Sequence, residues 1–470
     1  MKKNTLTAMV PIDAPALETI FKNSREKDKA LVILQHLFFT WRIMKAHKNF
    51  APQIERSSGW VPVLAENLKK LVHNYSEIIQ ILIRHNIIEF KRNDKGGKNY
   101  YPGKLTMLYR VKFGSRITNP EQQRYRQEHI RHPFIINKVK EYYEKDYKNQ
   151  RSLFLAQNPW FSGNLKFMDQ LIIDVSPEEL QKYNPDNFYF LWGVQQQFND
   201  KLNRHISIDS FAGRIYSELT SLPKGLRPYL RLKNESSELM IVDIKSSQPY
   251  FIGTLFLHYN ELLPLIPQFY PIAHKIKKHT NKPDVRIFLE DCINGYFYQR
   301  IMDASGLTKD EVKQAMFQHI FYSSASNQHR IQAVKEERLK FRNLFMSIYP
   351  SVYKLLVALK RTQKQTLPFV YEISKRKKGK GKMYITTNLI ATLLEVIFVI
   401  NKIAKRLSDD GVPVCLIHDA FIFRKQDLDK FDQIFNEAFH EFKIRPPKLD
   451  IQELKGGDNI IKPSISTENR

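Results

Sequence analysis

Two uninterrupted apolar runs, each leading into an aspartate, constrain this chain more than any other feature. Leu239-Met240-Ile241-Val242 runs directly into Asp243, and Val414-Cys415-Leu416-Ile417 runs into His418-Asp419 before Ala420-Phe421-Ile422-Phe423 resumes the apolar pattern. Runs without polar alternation read as strands covered on both faces, so each delivers a carboxylate to the end of a buried strand. The second is a hairpin with His-Asp at its tip. After Asp243, Ser246 and Ser247 can cap a helix that has Pro249 in its first turn. An ionised carboxylate amid such apolar flanks is costly unless it is paired or holds a metal. Two of them point to a hard cation such as Mg²⁺, which keeps several waters and shares phosphate oxygens with a substrate. Taken alone, either aspartate also reads as an ordinary cap or ion-pair partner.

The charge balance names a partner class. Lys and Arg total 74 against 48 Asp and Glu, a formal net charge of +26. A polyanion fits that excess, because basic groups that neutralise phosphates release condensed counterions whatever the base sequence. At 470 residues and 42% hydrophobic content the chain can bury more than one core. No stretch of about 18 uncharged apolar residues occurs, and the first residues lack the apolar segment of a signal peptide. We therefore expect a cytoplasmic protein without a membrane partner. Cys292 and Cys415 stand among apolar or aromatic neighbours, as buried thiols do, so any metal would be held by carboxylates.

Residues 1–116 read as a domain of their own. Ala30 to Met44 reads as a buried helix, followed by helical patterns through Leu64, Leu68, Leu71 and Val72 and through Ile78, Ile79, Leu82 and Ile83. Ile87, Ile88 and Phe90 then lead into the turn Asn93-Asp94-Lys95-Gly96-Gly97, and Leu105, Met107, Tyr109 and Val111 alternate on the return. Three helices and a basic hairpin resemble a winged helix, with Lys91, Arg92, Lys95, Lys98 and Lys104 decorating the wing, a fold that serves as a DNA reader or a protein-docking module. Thr118 to Arg204 is mostly helical, punctuated by prolines. The basic segment Ser374 to Lys382, containing Lys375, Arg376, Lys377, Lys378, Lys380 and Lys382, reads as a phosphate-meeting loop. The polar tail from Gly456 reads as disordered.

Between the aspartates lies a helix with an unusual start. Thr308 and Glu311 form a capping box, and Lys309 and Lys313 then stand four apart near the positive end of the helix dipole. Such a pair repels itself until an anion binds at the helix start. Phe317 and Phe321 continue the spacing, where a base could stack; their bland reading is core.

In order from Gly213 to Phe423, these segments resemble the core of family A DNA polymerases. Asp243-Ile244-Lys245-Ser246-Ser247-Gln248 resembles the first catalytic-aspartate motif, Lys309, Lys313, Phe317 and Phe321 the fingers-helix series, and Ile417-His418-Asp419-Ala420 the second-aspartate motif. Gly213-Arg214-Ile215-Tyr216-Ser217 resembles the segment that touches duplex near the primer end, and Phe345, Tyr349-Pro350 and the apolar helix from Asn388 to Leu407 occupy expected places. Against the family pattern, Gln248 replaces Glu, Phe321 replaces Tyr, Lys309 replaces Arg and Ala420 replaces an acid.

The resemblance implies an α+β right-hand fold: thumb-like connector over 117–204, palm over 205–256 and 385–455, and fingers over 257–384, with the small winged-helix-like domain in front. It implies two Mg²⁺ ions, about 3.5 to 4 Å apart, with Mn²⁺ as a substitute. They would be held by Asp243, Asp419 and the carbonyl of Ile244. Lys313 and Lys309 would bind the triphosphate, Phe317, Phe321 and Gln248 the nucleotide, and Arg214 and His418 the primer–template. The first 204 residues leave no room for the family's proofreading exonuclease, which suits a specialised polymerase of a phage, plasmid or other mobile element, acting as a monomer. A single-subunit RNA polymerase or primase shares these features. A regulatory DNA-binding protein with an inactive palm is the alternative that Ala420 supports.

Overall fold

The computed structural model describes residues 5–46, 59–92, 107–112, 124–202, 204–209, 212–321, 336–362 and 386–456. The turn at 93–97, Lys98, Lys104, the basic loop with Lys375, Arg376, Lys377, Lys378, Lys380 and Lys382, and the tail after Gly456 lie outside the described residues.

The N-terminal third forms around its own apolar core. Strand β1 (Leu6–Pro11) is followed by helix α1 (Ser24–Ala46), whose Ala30, Leu31, Val32, Ile33 and Leu34 are all buried. A helix apolar on every side has to be enclosed. Strand β2 (Val61–Pro62), helices α2 (Ala65–Leu71) and α3 (Tyr75–Arg84), and strands β3 (Ile88–Phe90) and β4 (Leu108–Val111) follow, in a sheet of order β2-β4-β3. Strand β5 (Tyr125–Ile130) returns to pair antiparallel with β1, from Leu6 opposite Ile130 to Pro11 opposite Tyr125. This core also takes in Ile135, Ile136, Val139 and Leu202, well past residue 116. Helices then dominate: α4 (Pro133–Gln157) and α5 (Phe188–Asn199) are the longest between residues 131 and 202. Pro133 opens α4, and Pro159, Pro177 and Pro185 each open a helical turn, at positions where a missing N–H costs nothing.

The second core surrounds a four-stranded antiparallel sheet. Its strands are β8 (Leu239–Ile244), β9 (Cys415–Ile417), β10 (Ala420–Arg424) and β11 (Leu449–Glu453), after a small hairpin of β6 (Ile206–Ile208) and β7 (Ile215–Ser217). Their order is β9-β10-β8-β11. Leu239 and Val242 on β8 and Phe421, Ile422 and Phe423 on β10 are nearly inaccessible, as the apolar runs require. Helix α6 (Ser247–Leu257) leaves β8 and packs closely on α7 (Pro283–Ile293): a Cβ at Gly253 would stand 3.0 Å from the Phe288 ring. The helix starting at Thr386 continues through a π-helical stretch, Ile397–Ala404, to Asp409. Its Thr387–Asp409 stretch is long and apolar enough to cross a membrane, with mean hydropathy 1.6, but 72% of its most apolar window is buried within the protein. There Phe398 stacks on Phe439 at 4.7 Å. Cys292 and Cys415 are free and buried.

Candidate active site

The sheet brings the two aspartates to one end. On β8, Asp243 pairs with Ala420 of β10 on one side and with Asp450 of β11 on the other. His418-Asp419 forms the two-residue turn beyond the last β9–β10 pair, Ile417 with Ala420. The amide of Ile244 donates to the carbonyl of Asp419 at 3.4 Å, tying the two segments together. Both exits from these strands take left-handed backbone: Ser246 has φ +57° and His418 φ +58°. Side chains with a Cβ adopt that region at a cost, and such outliers concentrate where geometry is imposed for function. The conformation also corrects the expected capping. Ser246 makes no side-chain cap, and Ser247 donates instead to Glu395 Oε2 at 3.1 Å.

Glu395 is the residue the sequence reading missed. It is 2% exposed and receives both arms of Arg214, Nε to Oε1 at 2.9 Å and Nη2 to Oε2 at 2.9 Å. Arg214, expected to face duplex, is thus engaged in a buried, bidentate ion pair. The signal was present: Glu395 is the only acid in the apolar stretch 388–400, and an unpaired carboxylate does not stay buried there.

The three carboxylates share one field. Asp243 opens to solvent on one side, but protein atoms crowd the rest; burial pushes its carboxyl up to about 7, and the Asp419 charge adds to the rise. Lys313 and Lys224 oppose that rise, so both reach Asp243 electrostatically. Burial likewise pushes Asp419 up to about 7, with the Glu395 charge next, against Arg214 and Ser247. Burial raises Glu395 too, against its Arg214 pair. Arg227, in the turn Lys224–Tyr229, is held below its usual value by burial, while Asp243 and Asp419 draw it back up. Lys224 and Arg227 were also missed, because only folding carries that turn to the carboxylates.

His418 sits beside this cluster. Burial, reinforced by Arg214 and Arg227, pushes its imidazole down to about 4, so it is neutral at pH 7. Its ring meets Tyr216 edge-on at 5.5 Å, and its buried Nδ1 has no hydrogen-bond partner among the described residues.

Helices α8 (Phe297–Ser305) and α9 (Lys309–Ala315) bring Lys313 within electrostatic reach of Asp243. The capping box is present: Glu311 N–H donates to Thr308 Oγ1 at 3.4 Å and Thr308 N–H to Glu311 Oε2 at 2.8 Å. Lys309 is exposed, and Lys313 Nζ lies 5.6 Å from the Tyr298 ring centre. Beyond Ala315 the chain turns π-helical over Met316–Phe321. Its wider turn breaks the spacing of four, a distortion common at functional sites. Phe321 is 1% exposed and belongs to the core, leaving Phe317, half-buried and 6.3 Å from it, as the ring with accessible surface. Gln248 is buried near the start of α6.

Among the described residues no three His, Cys, Asp or Glu side chains form a metal cage. Asp243 and Asp419 still fit a hard divalent cation. Two carboxylates that hold protons up to about 7 are relieved by bound positive charge, and Mg²⁺ takes one or two carboxylates and completes its shell with water and phosphate.

No protein-family model matches this chain, and no curated protein matches it. A solved structure described as the POL domain of Pol1 from M. smegmatis, in complex with DNA primer-template and dNTP, is similar at 12% identity and a TM-score of 0.29. The match covers 60% of this chain and 55% of that one. A likeness at that level carries no argument, and the functional reading rests on the residues and their geometry.

Proposed function

We propose that this chain is a template-directed DNA polymerase that adds deoxynucleotides to a primer 3′-hydroxyl. The observation that carries the reading is the convergence of Asp243, Asp419 and Lys313, three groups distant in sequence, on one end of a buried sheet. The 3′-oxygen attacks the α-phosphorus, the bond from that phosphorus to the β-phosphate oxygen breaks, and pyrophosphate leaves with the hydroxyl proton passing to water. Asp243 and Asp419, with the carbonyl of Ile244, would hold Mg²⁺, which lowers the hydroxyl pKa and neutralises developing charge. Lys313 and Lys309 bind the triphosphate, and Phe317 packs against the incoming base. His418, neutral and rigid in its turn, faces the primer terminus.

In this reading 205–256 and 385–455 are palm, 257–384 fingers and 117–204 a thumb-like connector, of which β5, the first turns of α4 and Leu202 pack into the N-terminal core. The order helix, strand, helix, helix, strand, strand in the N-terminal core supports a winged-helix domain, with α3 in the place of a recognition helix. Lys69, Lys70 and Arg84 are exposed there and suit phosphate contacts. The chain acts as a cytoplasmic monomer without proofreading.

Deoxyribose selection in this reading rests on Gln248 at the start of α6, with Phe321 only backing the site from the core. Both are buried, and neither side chain supplies the tyrosine hydroxyl that a ribose 2′-OH would need. A crowded, unpaired hydroxyl costs about 1 to 3 kcal/mol, or about tenfold to a hundredfold in selectivity.

Primer extension with Mg²⁺, on DNA and RNA templates and with each nucleotide set, tests the proposal. Asp243→Ala and Asp419→Ala should each abolish incorporation while leaving duplex affinity nearly intact. Wild-type rates in either variant would remove the assignment. Equal or better use of CTP than dCTP opposite template G would move the reading to an RNA polymerase or primase. A wild type that incorporates nothing would leave the inactive DNA-binding alternative, which Ala420 beside Asp243 favours.

A further inference from the structure

Where β8 runs on past Asp243 beside β11, a second group of charges gathers. On β8 and β11, Asp243 is opposite Asp450 and Ile244 opposite Leu449; one step further, the Lys245 amide donates to the Lys448 carbonyl at 3.0 Å. Alternate residues share a sheet face, so Lys245 and Lys448 flank the same face as Asp243 and Asp450. Like charges directly opposite each other weaken a sheet, yet here both lysine stems are drawn together. Gly295, at φ +75°, ends α7, and a Cβ there would stand 3.2 Å from Lys245 Cδ and 3.3 Å from Lys448 Cδ. Any side chain at that position would push the stems apart. The Lys448 amide is anchored on the Ile293 carbonyl at 2.9 Å.

Among the described residues neither ammonium has a close ion-pair partner. Lys245 Nζ is 4.0 Å from Asp450 Oδ1, the outer limit of an ion pair, and Gln452 also donates to that carboxylate, at 3.2 Å to Oδ2. Lys448 Nζ lies 6.0 Å from the ring centre of Tyr296, which is itself 59% exposed. Two ammonium groups and an accessible aromatic therefore stand together beside the carboxylate cluster.

Direction decides what they would meet. In phosphoryl transfer the attacking and leaving oxygens lie roughly in line, on opposite sides of the phosphorus. The hairpin tip His418-Asp419 lies on the β10 side of Asp243, Lys448 lies on the β11 side, and Lys245 continues β8 between them. With the primer terminus at His418, the leaving group points toward the β11 side, where Lys448 meets the Lys245 stem.

We propose that Lys245 and Lys448, gathered over Gly295 beside Tyr296, form an anion subsite for the pyrophosphate that leaves the reacting triphosphate. The proposal rests on the polymerase reading for its ligand. The subsite adds positive charge where charge accumulates as the bond breaks.

Calorimetric titration of the full chain with pyrophosphate and Mg²⁺ tests it, with primer–template affinity measured in parallel. The Lys245→Ala/Lys448→Ala double variant should bind pyrophosphate about tenfold more weakly, the loss of two charge-assisted contacts, with duplex affinity held within about twofold. Lys245→Gln/Lys448→Gln, which keeps stems on Gly295 and removes only charge, should behave the same way, and thermal unfolding confirms that both variants fold. Unchanged pyrophosphate affinity in either folded variant overturns the proposal. So does a fall in duplex affinity alone, which would assign the lysines to nucleic-acid phosphates. If the wild type incorporates no nucleotide while pyrophosphate binds and the variants lose it, the subsite stands and the polymerase reading falls.

Discussion

The two flanks of Asp243 solve one electrostatic problem in opposite ways. On the β10 flank the neighbouring acid, Glu395, is buried and clamped by Arg214, the register partner of Asp243 is the methyl group of Ala420, and His418 is neutral. On the β11 flank the register partner is an acid, Asp450, and the cations Lys245 and Lys448 are loosely held and reach solvent. Charge that is desolvated must be paired geometrically, whereas charge in contact with water needs no such pairing. The closed flank is therefore built to hold a shape, and the open flank to receive and release a ligand.

The strongest test of that contrast removes the clamp. Glu395→Ala leaves the Arg214 guanidinium buried without its partner and should cost about 3 to 5 kcal/mol of stability in urea unfolding. A loss below about 1 kcal/mol would mean that the flank is not closed. Placing an acid there is the next perturbation. Ala420→Glu puts a carboxylate at a 3% exposed position next to Asp243 and should destabilise the metal-free protein by about 1 to 3 kcal/mol. Added Mg²⁺ should recover part of the deficit, and no recovery would speak against a cation between these acids.

The pH dependence of stability sharpens the comparison further. Asp243 and Asp419 hold their protons up to about 7 when folded but release them near 3.9 when unfolded (about the model-peptide value). Between those values the folded chain holds these two protons and the unfolded chain does not, so the pair's contribution to stability is fullest below about pH 4 and declines as pH rises through 7, opposite in sign to that of neutral His418. With a chelator present, the urea midpoint of the wild type relative to the Asp243→Asn/Asp419→Asn variant should fall as pH rises over that window. A difference that stays flat or rises with pH would show that the burial of these carboxyls is relieved another way. The smallest effect belongs to the open flank: Lys245→Ala should change stability by no more than about 0.5 kcal/mol. A larger loss would mark Lys245 as a structural partner of Asp450 rather than a ligand-facing cation.

Much of the architecture was legible residue by residue. The runs before Asp243 and Asp419 are strands because nothing polar interrupts them, and Thr308 with Glu311 caps a helix because the two side chains satisfy each other's amides locally. The alternation through Tyr109 and Val111 and the periodicity through Ile78 and Leu82 were equally local. What escaped was cooperative. Ser246 is left-handed, so it cannot cap as its sequence neighbours suggested, and the π-helical turn moves Phe321 off the stripe that begins at Lys309.

By itself the sequence determined where carboxylates would stand at strand ends, that Lys313 would follow a capped helix start, and that the chain carries a large positive charge. These follow from short-range sterics, hydrogen bonding and net charge, which need no knowledge of distant residues. Only the tertiary structure decided which charges share a field. The Arg214–Glu395 pair spans 181 residues, and Arg227, Lys224 and Lys448 reach the Asp243 end only through sheet register and packing. Coulomb energy depends on separation in space and on the loss of water, and neither is written along the chain.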